Sequence, residues 1–374
     1  EINATGLAVG GAYKIVSDLP VIAYEFNPID GQSSATSDAS LLLPTSALDS
    51  YHYIVGWEPQ YGNPQLVVVA AQDGTSVTVT PTASTIGGGG LPALTANVPH
   101  TFAQTLNEGD YLQIEANASL NGTYITSTKP VAVFSAHDCA NIPVGVIACD
   151  HLEEQIFGLQ TWGKIYVGAR MPVRDSNAME TTLWHIIASE NATQVSFTAS
   201  PQVTGLPSSP QMLNSGQVLE MWVSGTPANP GDFVVTADKP ILMAEYLTGR
   251  GNVPNINQDQ AGDPAMTQAV PVEQFLDSYV VLVPGSWVLD FVILTKPIGS
   301  TITIDGSPVP QSNFIVINDG VNPPQWEVAR VAVSDGVHTA TGTQPFGIVV
   351  VGYDFADSYA YPGGLNQQLI NPIN

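Results

Sequence analysis

A short phrase centred on a proline recurs four times in this chain and constrains its fold more than any other feature. The four prolines are Pro20, Pro130, Pro240 and Pro345. They lie 110, 110 and 105 residues apart, and an apolar segment follows each of them. A glycine opens a strand-like lead eight or nine residues ahead of each proline, at Gly11, Gly122, Gly231 and Gly336. Near-constant spacing over a whole chain indicates tandem modules, so a single-site enzyme is not the first expectation.

Two further patterns recur at matching places. An apolar run, a polar turn and an alternating Val/Ile/Thr strand follow one another in residues 66–80, 184–198 and 291–304. Period-two alternation broken by Gly, Asp and Asn predicts a β-hairpin at each of these places. An aspartate opens each module, at Asp38, Asp150 and Asp263, and we expect a turn or helix-cap role for it.

These patterns predict an all-β protein of tandem antiparallel β-sandwich-like modules, with a propeller-like ring of large blades as the alternative. The predicted units are a partial repeat at residues 1–37 and full modules at residues 38–149, 150–262 and 263–374. The partial repeat has only the terminal strand pair of a module, at residues 7–26. A strand pair without its sheet has an open edge. Three explanations remain open: the natural chain is longer upstream, the pair docks elsewhere in this chain, or the pair completes a sheet of a neighbouring molecule.

Composition favours a secreted or surface protein. The chain has 34 Gly and 29 Pro, no sustained helical periodicity, and no apolar run long enough to span a membrane. It carries 33 acidic and 9 basic residues, a formal net charge of −24. Because binding to phosphate needs clustered Lys and Arg, nucleic acid is excluded as a partner. Solubility outside the cell is the simplest explanation of this negative charge. Calcium binding by the carboxylates is the more specific alternative, although no regular Asp-x-Asp-x-Asp loop is present.

The two cysteines, Cys139 and Cys149, are close in sequence. The extracellular composition favours a disulfide between them. A metal site that adds His137 and His151 as ligands is the alternative, but zinc sites usually have shorter Cys–Cys gaps.

The sequence predicts no catalytic, cofactor-binding or metal-binding residues. Glu25 and Glu245 lie five residues after Pro20 and Pro240, and a carboxylate pair is the machinery of a glycosidase. Their recurrence at matching positions favours a structural or ion-binding role. A carbohydrate-binding surface is a second alternative if the tryptophans are exposed, with core packing as the plainer role for them. These tryptophans are Trp57, Trp162, Trp222, Trp287 and Trp326.

Several blocks together resemble the IgGFc-binding protein N-terminal domain family, particularly its bacterial members. The matching blocks are residues 10–13, 20–28, 37–44, 129–139, 149–155, 161–164, 352–353 and 358–364. The resemblance implies a secreted or surface-anchored all-β protein. Animal members are linked to mucus and to immunoglobulin binding, but no residue motif for that binding is identifiable here. Bacterial members carry a further module front upstream, which implies that the partial repeat is a remnant of truncation or processing.

We therefore predict a non-catalytic extracellular or cell-surface protein for adhesion, matrix formation or assembly into a surface polymer. The predicted partners are further copies of the chain, as a homo-oligomer or polymer, and glycans or glycoproteins. A carbohydrate- or glycoprotein-binding module is the first alternative, and a polysaccharide hydrolase is the second. The chain is not expected to span a membrane.

Overall fold

The computed structural model describes residues 4–27, 36–175, 177–318, 320 and 325–372. Residues 1–3 and 28–35 of the predicted partial repeat therefore lie outside the described residues. The regular structure is antiparallel β-sheet with short 3-10 turns, so the all-β prediction is confirmed. The 3-10 turns are Thr45–Ala47, Leu159–Thr161, Arg250–Asn252, Gln258–Gln260, Val272–Gln274 and Gln311–Asn313. In the described part of the chain, no helix has the length and apolar character needed to cross a membrane.

The N-terminal region and the first module contribute strands β1 to β11. They are β1 (Gly6–Ala8), β2 (Ala23–Asn27), β3 (Asp38–Leu42), β4 (Asp49–Tyr53), β5 (Pro64–Ala70), β6 (Val77–Thr80), β7 (Thr85–Ile86), β8 (His100–Thr101), β9 (Tyr111–Ala116), β10 (Tyr124–Ala140) and β11 (Asp150–Gln155).

The second and third modules contribute the remaining strands. In the second they are β12 (Ile165–Gly168), β13 (Thr182–Ala188), β14 (Thr193–Ala199), β15 (Gln211–Leu213), β16 (Val218–Val223), β17 (Phe233–Ala237), β18 (Ile241–Tyr246) and β19 (Met266–Gln268). In the third they are β20 (Leu276–Val283), β21 (Leu289–Pro297), β22 (Ile302–Ile304), β23 (Ser307–Pro308), β24 (Phe314–Val316), β25 (Trp326–Ala332), β26 (Gly336–Asp354) and β27 (Asp357–Pro362).

Each module is a sandwich of two sheets with the same strand order. In the second module one sheet runs β12-β17-β14-β15 and the other runs β16-β13-β18-β19. In the third module β26 serves both sheets, first between β20 and β22 and then between β21 and β27. The first module repeats this arrangement around β10. Strands of both sheets supply one apolar core, as in the cluster that contains Tyr166, Trp184 and Phe233.

The recurrent proline marks the place where the chain crosses from one sheet to the other. Pro130 and Pro345 lie where the pairing register of β10 and β26 breaks, and Pro240 lies between β17 and β18. Proline has no N–H to give to a ladder, so it is tolerated where pairing is interrupted. In the three complete modules the repeated phrase is therefore a crossing strand that lies half in each sheet. The predicted N-terminal strand pair is only partly formed, because residues 9–22 of the first copy form no strand.

The predicted hairpins at residues 66–80, 184–198 and 291–304 are wrong. β5 pairs with β9 and β10, whereas β6 pairs with β8 and β10. Likewise, β13 and β14 lie in different sheets, and β21 and β22 pair with different parts of β26. Alternation with period two shows only that one face of each strand is buried. It does not distinguish a hairpin from a connection that arches over the edge of a sandwich.

Four hairpins meet at the centre of the molecule: β2–β3, β10–β11, β18–β19 and β26–β27. Their second strands form what we call the hairpin ring, in which β3 contacts β11 and β27, and β19 contacts β27 and β11. The modules are therefore gathered around a closed centre and are not strung out in a line. The predicted boundaries at residues 37, 149 and 262 cut three of the four hairpins before the strand that enters this ring, and β26–β27 is left whole.

Candidate functional site: the hairpin ring and its acidic residues

Four aspartates lie at the starts of the ring strands: three are the first residues of β3, β11 and β27, and the fourth lies three residues before β19. They are Asp38, Asp150, Asp263 and Asp357, and all are buried. The first three are the aspartates that the sequence singled out at the module starts. Asp357 was missed because only a two-residue connection separates it from β26, whereas longer segments precede the others. Its place directly after a crossing strand is the signal that could have identified it.

Asp38 ties the other three hairpins together. Its Oδ2 atom accepts hydrogen bonds from the backbone N–H of Glu153 in β11 at 3.2 Å and of Met266 in β19 at 3.0 Å. Its Oδ1 atom accepts from Ala360 in β27 at 3.3 Å and from its own neighbour Ala39 at 2.9 Å. One carboxyl group thus serves backbone donors on all four ring strands.

The other three aspartates close the ring. Asp150 accepts a hydrogen bond from the backbone N–H of Ser358 at 3.2 Å, and the Ser358 hydroxyl accepts from the N–H of Asp263 at 2.9 Å. Asp263 in turn accepts from the backbone N–H of Arg250 at 2.9 Å. The Ser37 hydroxyl donates to Asp357. Apart from the contact with Arg250, these partners are 95 or more residues apart. The expected turn or cap role is therefore too local, because the aspartates join different hairpins.

Burial controls the protonation of this centre. It raises the pKa of Asp38 well above its ordinary range, against the hydrogen bonds from Met266, Ala39 and Glu153. Burial also raises the pKa of Asp150, and the nearby carboxyl groups of Asp357, Asp263 and Asp38 raise it further. Asp263 shifts in the same direction, again because of burial. All three shifts have the same direction because burial disfavours the charged form of a carboxyl group.

A second acidic cluster lies beside the ring. Burial raises the pKa of Glu25 to about 8, and the neighbouring Glu153 contributes to the shift. Burial opposes ionisation of Glu153, but hydrogen bonds with His151 and Asn27 lower its pKa below the usual range. His151 Nε2 lies 3.3 Å from Glu153 Oε2, and Asn27 Nδ2 donates to the same oxygen at 3.0 Å. The cluster therefore divides its charge unequally between two carboxyl groups.

The structure does not support Glu25 and Glu245 as a catalytic pair, because each of them interacts with different groups. Glu245 accepts a hydrogen bond from the backbone N–H of Met171 at 2.7 Å, and burial raises its pKa to about 8. It lines a cavity of about 30 Å³ with Trp184 and Thr267. That space holds roughly one or two waters, whereas small-molecule sites usually enclose about 300–1,000 Å³.

An arginine network joins the second and third modules and was not foreseen from the sequence. Arg330 in β25 donates to the backbone oxygen of Arg170 at 2.7 Å and to Asp232 at 2.5 Å. Arg174 pairs with the buried carboxylate of Glu180. These cations are scattered single residues in the sequence, and only the tertiary fold assembles them.

Cys139 and Cys149 are joined in a disulfide with a Cα–Cα distance of 5.0 Å. It links the end of β10 to the residue before β11, so it closes the loop of one ring hairpin. The backbone N–H of Cys139 donates to His137 Nδ1 at 3.1 Å. Among the residues that the structure describes, no group of three or more His, Cys, Asp or Glu side chains is placed to hold a metal ion. The calcium prediction therefore has no site to support it here.

The tryptophans do not form an exposed sugar-binding platform. Trp57, Trp162, Trp287 and Trp326 are buried, and Trp222 is partly buried. The indole N–H of Trp57 donates to the backbone oxygen of Asn141 at 2.8 Å, so even its polar atom faces the interior. The carbohydrate-binding alternative required exposed tryptophans, and these four pack in the core instead.

Comparison with known proteins identifies the family. A family model described as IgGFc binding protein matches residues 38–352. The human IgGFc-binding protein (Homo sapiens) is 26% identical over 352 residues, which cover 90% of this chain and 6% of that relative. The chain thus spans a small part of the length of the relative it matches. No solved structure matches the chain. Since the family model covers most of the three modules, the chain belongs to the IgGFc-binding protein family.

Proposed function

We propose that this chain is a non-catalytic extracellular or cell-surface protein that acts in adhesion, matrix formation or assembly at a surface. One observation carries the proposal. The recurrent aspartates, which would be the natural candidates for chemistry, accept backbone hydrogen bonds that hold the hairpin ring together. The repeated residues thus serve the scaffold, and the surface is left for binding.

An extracellular location is supported by the composition and by the disulfide. Disulfides persist in oxidising compartments and are rare in the cytosol of most organisms. A net charge of −24 with only 11% charged residues leaves a surface of mainly uncharged polar side chains and scattered carboxylates. Such a surface suits contact with proteins or glycans and disfavours nucleic acid.

The partner we propose is a glycoprotein. The human relative is named for binding the Fc part of immunoglobulin G, and family membership makes a related protein-binding role the first candidate for this chain. Binding of the full chain to immobilised mucin and to immunoglobulin G, measured by surface plasmon resonance, tests the proposal. Unglycosylated serum albumin is the control surface. We expect saturable binding to at least one glycoprotein and none to albumin.

The hydrolase alternative is tested with the same preparation. We expect no release of reducing sugar from polysaccharides. Turnover that is abolished by Glu25→Gln and Glu245→Gln would contradict a non-catalytic role.

We also propose that the protein assembles into multimers. Size-exclusion chromatography with light scattering at rising concentration should show a mass above that of one chain. A single monomeric species at every concentration would count against assembly. Repeating the runs with calcium or with a chelator tests the calcium alternative, because a calcium-linked assembly would lose mass in the chelator.

A further inference from the structure

A buried lysine distinguishes the third module. Of the five lysines in the chain, all of which the structure describes, Lys296 alone is buried. Its ammonium group forms an ion pair with Glu327 on the neighbouring strand β25, and both side chains are only 1% exposed. Lysine is rarely buried without a partner, and apolar side chains of similar size often stabilise a core as well as a buried ion pair does. Stability alone therefore does not explain the pair.

The other modules show that the sandwich does not need this lysine. When the runs at residues 66–80, 184–198 and 291–304 are aligned, the positions that match Lys296 are Ala71 and Ser189. The first and second modules form their sheets without a cation at this position. Lys296 is thus a feature of the third module and not of the repeat.

A carboxamide lies beside the ion pair. Gln311 begins the 3-10 turn Gln311–Asn313, and its Oε1 atom is 3.5 Å from Lys296 Nζ. Its Nε2 atom donates to Glu327 Oε2 at 2.7 Å, whereas Lys296 Nζ donates to Glu327 Oε1. One carboxylate thus contacts both the amine and the amide nitrogen.

Two further contacts hold the amine in this position. Lys296 Nζ donates to the backbone oxygen of Ser300 at 2.5 Å. It also lies 4.3 Å from the centre of the Phe314 ring, within the range of a cation–π interaction. The lysine is therefore fixed from several sides, with the Gln311 amide as one of its neighbours.

We propose that Lys296 and Gln311 are joined by an intramolecular isopeptide bond that the folded protein forms by itself. The groups present are those of an amide exchange: an amine nucleophile, a carboxamide, and a carboxylate that carries protons between them. Gln311 Cδ is one bond from the Oε1 atom that Nζ contacts, and such positioning gives effective concentrations of about 10⁵–10⁸ M. Because Gln311 lies at the surface, released ammonia has a direct path to solvent.

The reaction needs no other reactant. Glu327 takes one proton from the Lys296 ammonium group, and the lone pair of the neutral Nζ attacks Cδ of Gln311. Glu327 returns that proton to Nε2, the Cδ–Nε2 bond breaks, and ammonia leaves. Nζ then gives its surplus proton to Glu327, which stays protonated. One amide bond forms, one breaks, nothing is oxidised or reduced, and neutral groups replace a buried ion pair.

The test is the intact mass of the purified full chain, unfolded and with its disulfide reduced. We expect a mass lower than that of the sequence by one ammonia. A protease that cuts before aspartate should release residues 290–304 and 305–318 as one linked species. Fragmentation of that species should place the bond between Lys296 and Gln311.

Variants separate the bond from the ion pair. Lys296→Arg keeps a cation beside Glu327 but removes the primary amine, so it should have the full mass of its sequence. Glu327→Gln keeps the size of the side chain and removes the proton carrier, so its loss of ammonia, followed by mass over time, should be slower by about a hundredfold or more. Lys239→Arg, in a partly exposed ion pair with Glu190, is the matched control and should lose ammonia like the wild type.

Three results would overturn the proposal. The first is an unmodified mass in the wild-type chain. The second is a loss of ammonia that persists in Lys296→Arg. The third is a loss that fragmentation assigns outside residues 290–318. If Glu327→Gln does not fold, Gln311→Ala at the surface takes its place, and a loss of ammonia in that variant would also contradict the bond. The result does not depend on the proposed glycoprotein binding, because the mass is measured without any partner.

Discussion

At the scale of single residues, the sequence around Asp38 does not show which groups its side chain binds. The sequence marks Asp38, Asp150 and Asp263 as recurrent, and this recurrence was informative. The role that it suggested was local, because turn and cap preferences are the only information that the flanking residues supply. Apart from its neighbour Ala39, the donors to Asp38 are at residues 153, 266 and 360, and no spacing rule within a segment can identify partners at those distances.

Replacing Asp38 should destabilise the protein strongly. Asp38→Ala leaves backbone donors of three other ring strands without their acceptor, and a buried unsatisfied group costs about 1–3 kcal/mol. We expect a loss of at least about 3 kcal/mol in the free energy of unfolding, measured by urea titration. Asp38→Asn should also destabilise, because its NH₂ group would face N–H donors. The exposed Asp18→Ala is the control, and a loss below about 1 kcal/mol for Asp38→Ala would contradict the tying role.

The raised pKa of Glu245 predicts how the stability of the protein depends on pH. Burial raises its pKa to about 8 from an ordinary value of 4.5, so the folded protein keeps a proton that the unfolded chain releases. The stability that this group contributes is fully present below pH 4.5 and is lost as the pH rises through 8. Glu245→Gln imitates the protonated form and removes that loss. We therefore expect the free energy of unfolding of the variant, measured by urea titration, to rise relative to that of the wild type by at least about 1 kcal/mol from pH 5 to pH 8.

The control for this pH series is the exposed Glu58→Gln, which should track the wild type. The buried His52 and His137, whose pKa values burial lowers to about 3 and about 4, reduce stability on the acid side, where neutral histidines resist protonation. They are the same in both proteins and cancel in the comparison. A constant difference between Glu245→Gln and wild type across the pH range would show that Glu245 is ionised in the folded state.

At the scale of elements, the sequence predicts strands well and their partners poorly. The glycine and proline pattern identified the crossing strand in the three complete modules, but residues 9–22 of its first copy form no strand. The alternating runs are strands. The hairpin interpretation of residues 66–80 failed because β5 and β6 bury one face each in opposite sheets of the same sandwich. Side-chain periodicity reports the buried face of a strand, whereas the choice of partner depends on the tertiary fold.

The disulfide offers a test at this scale. Cys139→Ser with Cys149→Ser opens the loop between β10 and β11, and a loop of this length should cost about 3 kcal/mol. We expect faster hydrogen exchange in β11, whose residues take part in the hairpin ring. Wild-type protein in a reducing agent is the matched control and should behave like the double variant. Two reactive thiols in the untreated native protein, or a loss of stability on adding a chelator, would instead favour the metal-site alternative.

At the scale of the whole molecule, the sequence predicts repetition but does not predict closure. The number of repeats, three modules and a strand pair, does not by itself indicate a closed arrangement. The structure closes them by bringing one hairpin from each proline phrase to a common centre. The first module's core continues into residues of the other two, including Leu183 and Ile293. Closure depends on contacts between residues more than 100 positions apart, which periodicity within a single module does not encode.

This closure predicts that the modules unfold together. If the modules were independent units in a line, each would melt at its own temperature, and a mutation in one would leave the others unchanged. Here Asp38 serves strands of all four hairpins, and the core is shared. We therefore expect one calorimetric transition, and we expect Asp38→Ala to lower the exchange protection of β5, β13 and β21 alike. Ile15→Asp changes an exposed side chain and should leave that transition in place. Separate transitions, with Asp38→Ala moving only one of them, would show that the hairpin ring is a contact between independent domains.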